Sequence, residues 1–375
     1  MVAPAPAPPC GALREIALLF LRLGATAFGG PAAHIALLED EVVRRRGWLT
    51  RERFLDLLGA TNLIPGPNST EMAIHLGYLR GGPLGLVLAG VCFIVPASLL
   101  SAALAWAYVR FGGVPRVEGV LYGIKPAIIV IVVQAVVSLS RAALRTRWLV
   151  VIAVASAAAA LLGLNELLVL GVAGTAACAP RLGRGGRGVL LAVPAAAAAA
   201  APAAVGLWPL FLAFAKIGSV LFGSGYVLLA FLRADLVAQR HWLTEAQLLD
   251  AVAVGQFTPG PVSSTATFIG YLLRGPAGAA VATLGMFAPA FVFVALSGPL
   301  VPRIRRSPAA GAFLDGVNAA SLALMAVVAA QLGRAAIVDW VTVAIAAASA
   351  VAVLRLRVSS VWLVLGGGVA GALLR

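Results

Sequence analysis

The chain has 375 residues, 61% of them hydrophobic and only 11% charged, with a mean hydropathy of +1.00. That composition excludes an ordinary soluble domain and makes the bilayer the solvent. The formal charge of +14 would suit nucleic acid, but the arginines stand in short connections between apolar runs. There they act as orientation signals and lipid headgroup contacts, so membrane lipid is expected as a partner and nucleic acid is not. Three scattered cysteines and three dispersed histidines point to no disulfide framework, no metal site and no cofactor.

Residues 1–12 open with a Pro/Ala run that lacks a basic n-region, and are expected to be a disordered, retained tail rather than a signal peptide. The first apolar run, Ile16 to Phe28, carries Arg22 well inside it. A charge at membrane depth usually faces a cavity or a partner; the plainer alternative is a side chain snorkelling from a helix end. The helix is expected to break at Gly29-Gly30-Pro31, where glycines let backbone approach a ligand or merely let helices pack closely. His34 follows, a lone histidine suited to proton relay or to a structural polar contact. Asp56 is a carboxylate that could pair with a basic residue, carry a proton or face water.

Next comes Pro65-Gly66-Pro67, followed by Asn68, Ser69, Thr70 and Glu71. Two prolines in three residues interrupt a helix, and irregular backbone at membrane depth is tolerated only where it lines a cavity or lies inside protein. The hydroxyl and amide residues that follow are suited to capping a new helix, whose free N–H groups and positive dipole end would attract an anion. Leu84 to Tyr108, Val120 to Leu139 and Ala277 to Leu296 are each about 20 residues long, enough to span the hydrocarbon. The second contains Lys125, whose neighbour Pro126 is expected to loosen the helix.

From Phe214 onward the sequence repeats itself at an offset of 194. Lys216 matches Arg22, Gly223-Ser224-Gly225 matches the first break, Trp242-Leu243-Thr244 matches Trp48-Leu49-Thr50, and Asp250 matches Asp56. Pro259-Gly260-Pro261 matches Pro65-Gly66-Pro67, and Val262, Ser263, Ser264 and Thr265 follow it. One deleted residue later Gly270-Tyr271, Gly275-Pro276, Pro289 and Gly316 match Gly77-Tyr78, Gly82-Pro83, Pro96 and Gly123. The position matching Lys125 is Asn318, and the one matching His34 is Leu228.

An offset held this long marks a duplication. The expected organisation is a first repeat over 13–190, a connecting Ala-rich helix over 191–207 and a second repeat over 208–375. The fold class is all-α and polytopic: two homologous transmembrane halves with helices broken at Pro-Gly-Pro, related by a pseudo-two-fold. Matched Gly/Pro interruptions in duplicated halves are the signature of secondary transporters, with the substrate between the repeats. Orientation stays open. If the segment 52–80 dips in and returns, the loops bearing Arg44 to Arg46, Arg141 to Arg147, Arg181 to Arg187 and Arg233 share one side, which favours parallel halves. If it crosses, the halves invert.

The sequence resembles the chromate ion transporter family in its long two-domain form. The resemblance is carried by Phe28-Gly-Gly-Pro31, Ala33-His34-Ile35, Pro65-Gly-Pro67 and Gly77-Tyr78 in the first half, and by Thr258-Pro-Gly-Pro261, Gly270-Tyr271 and Leu284-Gly-Met-Phe-Ala-Pro-Ala-Phe291 in the second. Gly223-Ser224-Gly225 departs from the Gly-Gly-Gly often found there. The resemblance implies a multi-pass protein of the bacterial inner membrane that exports chromate on the proton motive force and confers resistance, with halves of opposite orientation. Sulfate or another oxyanion, carried by a transporter or a channel, is the alternative. The expected anion ligands are Arg22, Lys216, Lys125, the Gly29-Gly30 and Gly223-Ser224 breaks, and residues 65–70, 259–261 and 263–265. His34, Asp56, Glu71 and Asp250 are the expected proton-coupling groups. No nucleophile, base and orienter triad marks an enzyme, and a homodimer is left open.

Overall fold

The computed structural model describes residues 11–28, 30–112, 114–182, 205–222, 227–305, 307–356 and 358–374. Most of the 1–12 tail, Gly29, Gly223 and Ser224, and most of the expected 191–207 helix therefore lie outside the described residues. The first half runs α1 (Ala12–Thr26), α2 (Gly30–Glu39) continuing as a π-helical turn over Asp40–Arg45, α3 (Arg51–Thr61), α4 (Asn68–Phe111), α5 (Pro115–Ala143), α6 (Arg147–Leu161) and α7 (Glu166–Leu182). The second half repeats them as α8 (Leu207–Val220), α9 (Leu228–Leu232) with a π-helical turn over Arg233–Gln239, α10 (Glu245–Phe257), α11 (Thr265–Arg305), α12 (Pro308–Ala336), α13 (Trp340–Leu354) and α14 (Ser360–Leu374).

α4 and α11 are each folded back on themselves. Gly82 takes φ 63° and ψ −152°, and Gly275 takes φ 62° and ψ −152°, values that glycine adopts without penalty. The arms then touch along glycines: a Cβ on Gly85 would land on the Gly77 carbonyl, and one on Gly278 on the Gly270 carbonyl. Each is thus a hairpin with a short arm (68–80; 265–273) and a long arm (83–111; 276–305).

The start of α1, the start of α3 and the end of the short arm of α4 meet at one end of the bundle. Glu15 accepts from Trp48 Nε1 at 3.1 Å and from Arg80 at 2.9 Å, and the Arg80 guanidinium stacks over the Trp48 ring. α1 with α2, and α3 with the short arm of α4, therefore enter from this end, break partway through and return. The long arm of α4 crosses, and α5, with 29 residues at about 1.5 Å each, crosses back.

The second half enters from the opposite end. Ala97 of the α4 long arm lies against Gly260, whereas Tyr108, nearer the far end of that arm, reaches Asp250, nearer the entrance of its own hairpin. The halves are inverted about a pseudo-two-fold. This corrects the charge argument: the segment 52–80 does dip and return, yet Arg233 sits at the opposite end from Arg44 to Arg46, so the loops counted together do not share a side. α5 runs through Pro126 as one continuous helix.

The halves also exchange their last helices. Gly123 of α5 packs on Gly367 and Gly371 of α14, and its repeat-mate Gly316 of α12 packs on Ala173 of α7. Tyr122 of α5 donates to Asp339, which caps α13. A Cβ on Gly123 would collide with the Gly367 carbonyl, while Gly366 faces open space. Gly123→Leu should accordingly cost about 1–3 kcal/mol by overpacking and lower the midpoint of thermal unfolding in detergent. Gly366→Leu should leave it nearly unchanged.

Candidate functional site

The helix breaks of the two halves interlock at the centre of the molecule. Gly66 donates its amide to the Leu221 carbonyl at 2.7 Å, and Gly260 donates its amide to the Ala27 carbonyl at 2.8 Å. Ala27 and Leu221 are repeat-mates, as are Gly66 and Gly260, so the two bonds are one contact made twice. Each Pro-Gly-Pro thereby holds the end of the first helix of the opposite half. Gly66 and Gly260 have φ of 150° and 86°, and a Cβ on Gly260 would meet the Gly24 carbonyl and Ala97, so neither position readily accepts a side chain. His34 is buried and donates from Nε2 to the same Ala27 carbonyl at 3.1 Å.

Around this crossing lies a polar belt inside apolar protein. Ser69, Thr70, Glu71, Ser263, Ser264 and Thr265 are all buried. Ser264 Oγ takes a hydrogen bond from Ser101 at 3.2 Å and stands 3.4 Å from Thr258 Oγ1. Thr70 Oγ1, both Glu71 carboxyl oxygens and Ser98 Oγ have no protein partner among the described residues. Buried polar atoms are nearly always paired with protein, water or ligand, so the belt can accept a polar guest. One expectation needs correction in the first half: Pro67, not a hydroxyl or amide residue, is the N-cap of α4 and makes no side-chain cap bond; in the second half Pro261 precedes a 3-10 turn over Val262–Ser264 that leads into α11. The Thr70 and Glu71 amides fold back onto the Pro67 carbonyl, and Asn68 Nδ2 turns to Asn62 Oδ1.

The basic residues expected at the anion are each held by an acid, about one and a half helical turns from the crossing in the case of Arg22 and Lys216. Arg22 and Arg46 both contact the Glu41 carboxylate. In the matching places Lys216 and Arg240 both contact Asp235, at 2.6 and 3.0 Å. Lys125 pairs with Asp250 at 3.3 Å, whose other oxygen accepts from Tyr108 at 3.0 Å. Asp56 is exposed, and Thr265 Oγ1 donates to the Val262 carbonyl. Lys216, Asp235 and Arg240 line a cavity of about 600 Å³ together with Arg233, Glu166 and Gln331, at the end where the second half enters.

Glu41 and Asp235 are the functional-class residues that sequence reasoning passed over. They sit 19 positions after Arg22 and Lys216, on the returning limb of each hairpin, so the pairing exists only once the chain has doubled back. The signal was present in the repeat, because both halves keep an acid at this position and an arginine five residues later. Each carboxylate is buried: Asp235 joins Lys216 and Arg240, and Glu41 joins Arg22, Arg45 and Arg46. Asp235→Asn should destabilise the protein more than Asp40→Asn, whose ion pairs are largely exposed and worth about 0–1 kcal/mol. Thermal unfolding of the two variants side by side checks the order.

The sequence profile described as chromate transporter matches this chain twice, over residues 14–178 and 208–372. A chromate transport protein of Cupriavidus metallidurans is 34% identical over 96% of this chain and 92% of its own length. A probable chromate transport protein of Synechococcus elongatus is 31% identical, covering 89% of this chain and 88% of the relative. A chromate transport protein of Pseudomonas aeruginosa is 33% identical, covering 87% and 82%. No solved structure matches. With its internal repeat, its helical multi-pass architecture and these relatives, the chain belongs to the chromate transporter family.

Proposed function

We propose that the protein exports chromate across the bacterial inner membrane on the proton motive force, and so confers chromate resistance. The observation that carries the reading is the central crossing: two helix N-termini from inverted halves converge inside a belt of buried hydroxyls, among them groups without a protein partner among the described residues. A tetrahedral dianion has four oxygens that accept hydrogen bonds, and backbone amides at helix starts with serine and threonine hydroxyls are the donors such an anion needs. The two Gly amides in the Pro-Gly-Pro turns serve the interlock, and the Thr70 and Ser264 amides are bonded within their own turns, so the anion is taken by the Asn68, Ser69 and Ser263 amides and by the hydroxyls of Ser69, Thr70, Ser263 and Ser264. Arg22 with Arg46 outnumber the Glu41 carboxylate they share, whereas Lys216 and Arg240 share Asp235 and stand beside Glu166, so the second cluster is close to balanced. Glu71 is the carboxyl best placed to carry a coupling proton, being wholly buried beside the Pro65-Gly66-Pro67 turn. The arginine-rich end, with Arg44 to Arg46, Arg141, Arg145 and Arg147, faces the cytoplasm.

Sulfate shares chromate's shape and charge, so a site built from amides and hydroxyls admits it, and competition decides between them. Inverted vesicles should take up labelled chromate when energised, lose that uptake when the proton gradient is collapsed, and resist excess sulfate. Flux indifferent to the gradient would mark a channel, and full displacement by sulfate would make sulfate the natural cargo. Within the site, Gly260→Leu should abolish binding of chromate to purified protein, while Ser264→Ala should weaken it by about 0.5–1.5 kcal/mol, the worth of one neutral hydrogen bond. Wild-type affinity in Gly260→Leu, judged by competition binding, would remove the anion from the crossing.

A further inference from the structure

The two halves contain the same elements, yet their hairpins sit differently on the surrounding helices. Leu55 of α3 is 50% exposed, whereas Leu249, the same residue in the matching place on α10, is fully buried. Asp56 is exposed and its mate Asp250 is buried; Leu37 is 38% exposed and its mate Phe231 only 4%. Because Leu55 and Leu249 are chemically identical, the difference reports placement. The core agrees: the second-half hairpins share one apolar cluster with α5, α6, α7 and α12, whereas those of the first half close into a cluster of their own, drawn from α1 to α4. The fastening on the docked side is Asp250, which holds Lys125 of α5 and Tyr108 of the α4 long arm. On the undocked side the residue matching Lys125 is Asn318.

We infer that the protein has a second state in which the hairpins exchange these placements: α3 docks on α12 with Asp56 against Asn318, and α10 leaves α5 as the Lys125–Asp250 pair opens. The halves are inverted, so the exchange swaps which end of the molecule carries the docked hairpins; in the state described here that end also holds the cavity beside Lys216, Asp235 and Arg240. In transport, the exchange presents the central crossing to the two ends in turn. Lys125 and Asp250 form an ion pair that Asn318 and Asp56 cannot reproduce, so the pair biases the protein toward the state described here. Its purpose rests on the transport reading above; its geometry does not.

The test uses full-length protein in opened membrane fragments, where both faces are accessible, with Cys10, Cys92 and Cys178 replaced, and a membrane-impermeant maleimide. The Leu55→Cys thiol should react and the Leu249→Cys thiol should not. Adding Asp250→Asn should reverse the pattern, exposing position 249 and protecting position 55. In that same background Asp56→Cys with Asn318→Cys should form a disulfide on mild oxidation, and should fail to do so while Asp250 is intact. Rising reactivity at both positions would mean loosening rather than exchange and would overturn the proposal, as would no change at either, an unreactive Leu55→Cys thiol facing lipid, or a cysteine pair that never cross-links. Labelling reads conformation alone. Absence of chromate flux in the unmodified protein would sink the transport reading and leave these outcomes intact.

Discussion

The structure depends on one contact made twice: the Gly66 amide on the Leu221 carbonyl and the Gly260 amide on the Ala27 carbonyl. A helix that stops inside a membrane exposes carbonyls that lipid cannot satisfy, at a cost of several kcal/mol each. Here each stopped helix gives a carbonyl to the broken turn of the other half. The breaks can therefore exist only in pairs, which is a physical reason for the chain to carry two halves. Prolines flank the donating glycine on both sides, so each turn keeps one amide to offer and offers it across the pseudo-two-fold.

Everything around that contact follows from bringing four chain reversals to one depth. Gly77 with Gly85, and Gly270 with Gly278, let the folded-back arms touch at backbone distance. Glu41 and Asp235 then tie each first hairpin shut through a cation on the outgoing limb and another at its exit. The exchange of α6 and α7 for α13 and α14 locks the halves by glycine-lined seams at Gly123 and Gly316. What remains at the centre is a volume where backbone is irregular and the buried polar side chains are mostly hydroxyls.

Much of this was legible in the sequence. The offset of 194, the Pro-Gly-Pro turns and the spanning runs ending near Tyr108 and Leu139 were all found from residue order, because duplication and proline chemistry act locally. Three features were not. Gly82 and Gly275 were matched as repeat-mates without being read as reversals, since an apolar run looks the same whether it continues or doubles back. Inversion was implied by the family resemblance but could not be read from arginine positions, because Arg233 lies on the far side only when both preceding hairpins return. The acids at 41 and 235 went unnoticed because ion pairs between limbs of a hairpin have no sequence period to announce them.

The central claim is that the anion rests where the four breaks meet. A structure of the protein bound to a heavy tetrahedral oxyanion such as selenate would locate it by scattering. The account predicts one strong density between the segments 68–70 and 263–265, equidistant from the Gly66 and Gly260 turns. Density confined to the cavity beside Lys216, Asp235 and Arg240, with the crossing empty at saturating anion, would contradict it.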